Sequence, residues 1–489
     1  MPCPIGLMTT NTTSLALLTD LYQLTMAQGY WKTGMDQHEA VFHLFFRRNP
    51  FKGAYSVACG LAPAIEFLQD LGFDESDRAY LSTLTGNDGK PLFEPAFLDY
   101  LGDLKFTCDL DATPEGTIAF PQEPLLRVKG PLLQCQLLET PLLTIINFQT
   151  LIATKAARVC LAAQGDPVLE FGLRRAQGID GGLSASRAAY IGGCAGTSNV
   201  LAGKLYGIPV KGTHAHSWIM SFDTEQESFE AYARAMPNNC IFLVDTYDTI
   251  EGVKRAIDAG RQLRDAGHEM IGIRLDSGDL ASLSIEARRL LDEAGFDNAA
   301  IVGSSDLDEY AIGDIKKQGG KIAVWGVGTR LATAYDEPAL TGVYKIAAIR
   351  EPGGEWKHRI KLSDEPAKTT TPGIQQVRRF SNNGHFQADI IYNETAPPQD
   401  RWKAHNINES NAEISPAPDC TSEDLLQPIF RSGKLQSEPP PVEQIRSHCL
   451  QQLDALAPEL KQNNPNATYP VGLEIALLDL KKKLAADKK

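Results

Sequence analysis

The 489 residues carry 47 basic against 61 acidic side chains, a formal net charge of −14, with 43% hydrophobic and 22% charged residues. These proportions exclude a disordered or fibrous chain, and an acidic balance without a basic tract excludes nucleic-acid binding through a broad positive face. No run approaches the roughly 18 apolar residues of a membrane span, and MPCPIGLMTTNTTSLALL lacks the basic flank and apolar centre of a secretory signal, so a cytoplasmic enzyme of two or three domains is expected.

The first 150 residues read as an α+β domain. Leu17 to Lys32 has helical spacing, with Thr19 or Asp20 near its start. AVFHLFF (40–46), TIAF (117–120) and LLRVKG (125–130) alternate as antiparallel strands do. From 151 to 335 the pattern changes to short Val- and Ile-rich runs, each followed by a polar corner and an amphipathic stretch. They are VLEFG (168–172), IPVKG (208–212), IFLVD (241–245), MIGIRL (270–275), AIVG (300–303) and IAVWG (322–326). Three successive runs start at 241, 270 and 300, the period of a β/α unit. Such alternation demands parallel strands with right-handed crossovers. Nearly every run ends in a group able to do chemistry, which favours a barrel, whose sites draw on many strand ends, over an open sheet with one switch point. An irregular β/α barrel is therefore expected over 151–335. Asp248 to Leu263 reads as one of its helices, with Gly260 as a flaw. Beyond it, GVYKIAAI (342–349), HRIKL (358–362) and ADIIY (388–392) predict a β-rich and helical extension over 336–489, packing partly back on the first domain. SEPPPVEQ (437–444) reads as a linker or helix entry, and KKKLAADKK as a frayed helix end. The nine cysteines are scattered without a CxxC pair and read as buried or reduced thiols.

Four corners carry chemistry. GTHAHSW (212–218) sets His214 and His216 two positions apart, as two metal ligands, an imidazole nucleophile or acid/base, or residues of a plain loop. GIRLDSGDL (272–280) holds Arg274, Asp276 and Asp279. The carboxylates suit ribose hydroxyls or a phosphate-borne Mg²⁺, and Asp279 equally suits the cap of the next helix. WGVGT (325–329) offers Gly326, Gly328 and Thr329 for backbone and hydroxyl donation to a phosphate, with Ser304 and Ser305 one strand earlier. FGLRRAQGIDGG (171–182) sets Arg174 beside Arg175. In an extended stretch only one of the two would face a site, as an anion ligand, while the other reading is a surface salt bridge.

With TDLYQLTM (19–26), FFRRNPF (45–51), RRAQGIDGG (174–182), GTHAHSW, VDTYDT (244–249), RLDSGDL and GVGT in order, the chain closely resembles the nicotinate phosphoribosyltransferase family over about residues 15 to 350. The resemblance implies a type II phosphoribosyltransferase: an irregular barrel, an N-terminal β-rich domain and a homodimer with shared active sites. It implies formation of nicotinate mononucleotide and diphosphate from nicotinate and 5-phosphoribosyl 1-diphosphate, coupled to ATP hydrolysis with Mg²⁺, in NAD salvage. By motif, His216 corresponds to the phosphorylated histidine. Tyr22 would stack on the pyridine ring from the partner subunit, and Thr213 and Arg274 would contact nicotinate. Arg174, Arg175, Asp276, Asp279, Ser304, Ser305, Gly326, Gly328 and Thr329 would meet the phosphoribosyl diphosphate. A nicotinamide-using relative and a metal-dependent barrel hydrolase built on the HxH at 214–216 are the competing expectations.

Overall fold

A computed structural model of the chain describes residues 14–365, 368–398, 401–408, 412–462 and 467–488. Most of the N-terminal stretch read for a secretory signal, with Cys3, lies outside them, as does Lys489. Two compact units emerge, residues 1–154 with 339–489, and residues 155–338.

The first unit is built on antiparallel pairing. The strand Glu39–Phe46 lies between Leu126–Pro131 on one side and Gly342–Arg350 on the other, so strands from both ends of the chain share one seven-stranded sheet. Seven of its eight residues are buried, as in a strand covered on both faces. The first helix begins at Leu21, four residues later than its periodicity predicts, because Asp20 takes the N-cap position. Behind it Leu24, Ala27, Phe97, Leu101 and Leu133 form a continuous core. A second sheet of six strands contains the hairpin Gln375–Asn382 and His385–Asn393, turned by Asn383 and Gly384 at φ 50° and 80°. HRIKL yields only the two-residue strand Lys357–His358. Pro441 opens the helix Val442–Ala455, and the lysine-rich end is helical through Ala486.

The second unit contains one parallel sheet of six strands among the described residues: Val168–Glu170, Gly196–Thr197, Ile241–Leu243, Gly272–Leu275, Ala300–Ser305 and Val324–Val327. The last strand pairs with the first, the first with the second, and each of the final three with its predecessor in sequence. That is the order of a barrel with a single seam, beside the IPVKG segment. This run forms no strand, only a parallel bridge of Val210 to Thr197, because its backbone peels away after one pair. Across the seam the Leu243 N–H donates to the ring of His214 at 3.3 Å, a side chain standing where a ladder bond would be.

The helices begin on a common device. Asp248, Asp279 and Asp308 each accept backbone N–H groups at the starts of Thr249–Asp265, Leu280–Glu293 and Glu309–Lys317. Gly260 is no flaw: a Cβ there would lie 3.0 Å from the Phe296 ring, so its absence lets helix and neighbouring chain close up. No helix among the described residues is long and apolar enough to cross a membrane.

Candidate active site

Parallel pairing sets the strand ends in register. Leu243 stands beside Arg274, Arg274 beside Val302, and Ser304 beside Gly326. The C-terminal corners of four consecutive strands therefore lie side by side, and their polar side chains meet.

His216 opens a short helix, His216–Ile219, with its side chain 40% exposed. Its Nε2 lies 3.3 Å from Oδ1 of Asp245, a carboxylate whose side chain is 1% exposed. The other oxygen of Asp245 accepts from the Asp276 N–H at 3.1 Å and the Ser277 hydroxyl at 2.5 Å. A carboxylate so surrounded acts as an acceptor, so His216 donates Nε2–H to it.

Arg274 is held in a fixed plane. Its Nε donates to Ser304 Oγ at 2.8 Å, Nη1 to Thr213 Oγ1 at 3.0 Å, and Nη2 to Asp276 Oδ1 at 2.9 Å. Ser304 donates in turn to Asp276 at 2.5 Å. Burial would raise the carboxyl of Asp276, but the bonds from Ser304 and Arg274 and the nearby His216 outweigh it and hold it below the ordinary carboxylate value. Asp276 thus remains an anion at neutral pH.

His214 is different. Burial, with the neighbouring Arg274 and His216, pushes its imidazole down to about 4 against a smaller lift from the Ala215 backbone. It is neutral in the fold, accepts from Leu243 through Nε2, and rests 4.8 Å from the Tyr232 ring centroid. A nitrogen committed to a backbone N–H cannot also hold zinc. Among the described residues no group of three His, Cys, Asp or Glu is placed to bind a metal ion.

The remaining residues of the four motifs divide. Ser304 is buried in the Arg274–Asp276 group, whereas Ser305 is exposed at the strand end with φ 137°, a strained conformation for a non-glycine residue. Gly326 approaches Phe171 so closely that a Cβ would lie 2.7 Å from the ring; Gly328 precedes Thr329, which starts the turn Thr329–Ala332. Arg174 and Arg175 are both exposed on a 3-10 turn, Leu173–Arg175, so the rule for alternating faces of an extended strand does not apply to them. Asp279 is committed to its helix, one oxygen taking the Ala281 and Ser282 N–H groups and the other the Ser282 hydroxyl. Tyr22 belongs to the first unit, on the first helix, and is 48% exposed.

Sequence reasoning did not assign two buried carboxylates. Asp245, at the end of its strand in VDTYDT, is the partner of His216. Glu170, at the end of VLEFG, accepts from the Gly172 N–H, the Ser186 hydroxyl at 2.9 Å and the Thr197 hydroxyl at 2.6 Å, tying down the turn that carries both arginines. A carboxylate closing an otherwise apolar strand was the available signal for each.

Residues 17–147 match the nicotinate phosphoribosyltransferase N-terminal domain, 168–386 the nicotinate phosphoribosyltransferase family, and 374–481 its C-terminal domain. Nicotinate phosphoribosyltransferase of Bacillus subtilis (strain 168) is 44% identical over 466 residues, covering 94% of this chain and 93% of its own. The Homo sapiens protein of that name is 35% identical over 531 residues, covering 96% of each. The crystal structure of human nicotinic acid phosphoribosyltransferase superposes with a TM-score of 0.84 at 33% identity, over 96% of this chain and all of that one. A nicotinate-nucleotide pyrophosphorylase from Pyrococcus furiosus shares the fold, with a TM-score of 0.69 at 23% identity over 90% of this chain and 96% of that one. Fold and site define a barrel-type phosphoribosyltransferase. Within that class, the chain belongs to the nicotinate phosphoribosyltransferase family.

Proposed function

We propose that the chain joins nicotinate to 5-phosphoribosyl 1-diphosphate, giving nicotinate mononucleotide and diphosphate for NAD synthesis, and couples this to ATP through phosphorylation of His216. The observation that carries the reading is one unbroken hydrogen-bond chain, from His216 through Asp245 and Asp276 to Arg274 and Thr213. Arg274, fixed on three sides, presents guanidinium charge for the nicotinate carboxylate with little left to reorganise. The pyridine nitrogen attacks C1 of the ribose with its lone pair, the C1–O bond to diphosphate breaks, and no proton need move. Positive charge builds on the sugar as that bond lengthens, and the ionised Asp276 lies in the same corner to stabilise it.

In the ATP step Nδ1 of His216 attacks the γ-phosphorus and ADP leaves, while Nε2–H stays on Asp245. Water later cleaves the N–P bond and releases phosphate. Mg²⁺ would enter on the diphosphate. Because Asp279 caps a helix and Asp276 is engaged by Arg274 and Ser304, its ligands would come mainly from substrate oxygens. Gly326, Gly328 and Thr329 with Ser305 form the assigned 5-phosphate cradle, and Arg174 and Arg175 the grip on diphosphate.

The first helix supports a homodimer. Leu21, Tyr22 and Met26 are all at least 41% exposed on one side of this helix, and Leu18, just before it, is 45% exposed. We assign that stripe to the partner contact, with Tyr22 stacked on the base in the partner's site. Radiolabelled nicotinate and nicotinamide, each supplied with 5-phosphoribosyl 1-diphosphate, test the substrate. Mononucleotide from nicotinate alone supports the reading, and equal use of both bases contradicts it. The variant His216→Ala should lose ATP hydrolysis and keep slow, ATP-independent transfer.

A further inference from the structure

Behind the assigned cradle lies an ion network with no part in the chemistry described so far. Lys155, its side chain wholly buried, contacts Glu309 and Asp336, each at 2.6 Å. Arg158, three residues on along the helix Glu139–Ala162 and thus on the same face, donates through Nε to Glu309 at 2.9 Å and reaches the Tyr310 hydroxyl at 3.3 Å. Arg330 lies 3.4 Å from Asp308 and 3.6 Å from Asp336. Three cations thus meet three carboxylates, a balance that makes such burial tolerable.

The placement of these six groups gives the network its meaning. Asp308 and Glu309 close the corner that begins with Ser304 and Ser305. Arg330 follows Thr329 directly, and Asp336 ends the same corner as Gly326 and Gly328. The two loops are held to each other by Arg330 and both are held to one rigid helix by Lys155 and Arg158. An anion cradle needs its donors fixed before the ligand arrives, because a misplacement of about 1 Å can cost a hundredfold. Ser305, strained at φ 137°, is a residue that only firm surroundings would keep in place.

We infer that Lys155, Arg158 and Arg330, with Asp308, Glu309 and Asp336, are positioning residues that set the spacing of the Ser305 and Gly326–Thr329 loops for the 5-phosphate. The inference rests on the proposed transfer reaction. It is tested with Lys155→Met, Asp336→Asn and the conservative Asp336→Glu in the full-length enzyme. Asp336 is one-third exposed, so its variants keep the test available should Lys155→Met not fold. The expected result is a KM for 5-phosphoribosyl 1-diphosphate raised on the order of tenfold or more, with KM for nicotinate unchanged and partial recovery in Asp336→Glu. Equal change in both KM values, or a lower Tm with neither KM moved, would assign the network to stability alone and overturn the inference. Calorimetry of the unaltered enzyme with 5-phosphoribosyl 1-diphosphate separates the two levels. Absence of binding there removes the transfer reading itself, whereas normal binding with unmoved variants removes only the positioning role.

Discussion

Two imidazoles two positions apart have opposite work because one faces a protein core and the other a carboxylate. His214 holds the barrel seam as a neutral acceptor; His216 is half-open to solvent and leans on Asp245. The pH consequence follows from the sign of the shift. An imidazole at about 4 in the fold against an ordinary 6.5 binds fewer protons folded than unfolded between those values. Stability is therefore full above about 6.5 and is lost as pH falls toward about 4. His43, buried beside Arg127, is lowered further to about 3 mainly by that burial and acts in the same direction. His214→Gln, whose amide oxygen can take the Leu243 N–H without titrating, should flatten part of the acid fall in Tm, and an unchanged slope would dismiss His214 as a source. For Asp245→Asn, loss of the anionic partner should reduce ATP-dependent phosphorylation on the order of 10²- to 10⁴-fold, with little change in melting. Retained phosphorylation would show that His216 acts without it. GTHAHSW singled out both imidazoles but not their different surroundings, since the seam and the ring of Tyr232 come from other segments.

At the scale of elements, the corners follow one rule. A polar group closes the strand and an aspartate three positions later caps the helix: Asp245 then Asp248, Asp276 then Asp279, Ser305 then Asp308. This spacing explains why RLDSGDL supports both a ligand role and a cap for Asp279, and the structure commits its oxygens to the cap. Asp279→Ala should lower Tm slightly and leave KM for 5-phosphoribosyl 1-diphosphate alone; a raised KM would return Asp279 to the ligand set. The period of the β/α units was legible because helices and strands differ in apolar spacing. The seam was not, because IPVKG has strand composition yet pairs at one residue. Nor was the 3-10 turn of Arg174 and Arg175, which depends on Gly172. A Cβ at that glycine would lie 2.3 Å from Ala332 and 2.9 Å from the Gly328 carbonyl. Gly172→Ala should thus push the arginine turn from the cradle, costing about 1–3 kcal/mol and raising KM for 5-phosphoribosyl 1-diphosphate. A variant with wild-type stability and kinetics would show the two loops to be independent.

For the whole molecule, a net charge of −14 and polyanionic substrates are compatible because screening over about 8 Å leaves the local guanidinium groups in control. Assembly is where composition says least and the exposed stripe says most. If the proposed homodimer forms through this stripe, Leu21→Glu with Met26→Glu should shift it to monomer in sedimentation, and an undisturbed dimer would move the interface elsewhere. The joining of both chain ends in one sheet depends on pairing between residues some three hundred positions apart, which periodicity cannot specify. The most direct test of the site is mass spectrometry of the GTHAHSW peptide after incubation of the enzyme with ATP, under conditions that preserve acid-labile N–P bonds. The account predicts a single added phosphate, on Nδ1 of His216 and absent from His216→Ala. Phosphate on His214, or none on this peptide while ATP is consumed with product, would contradict it.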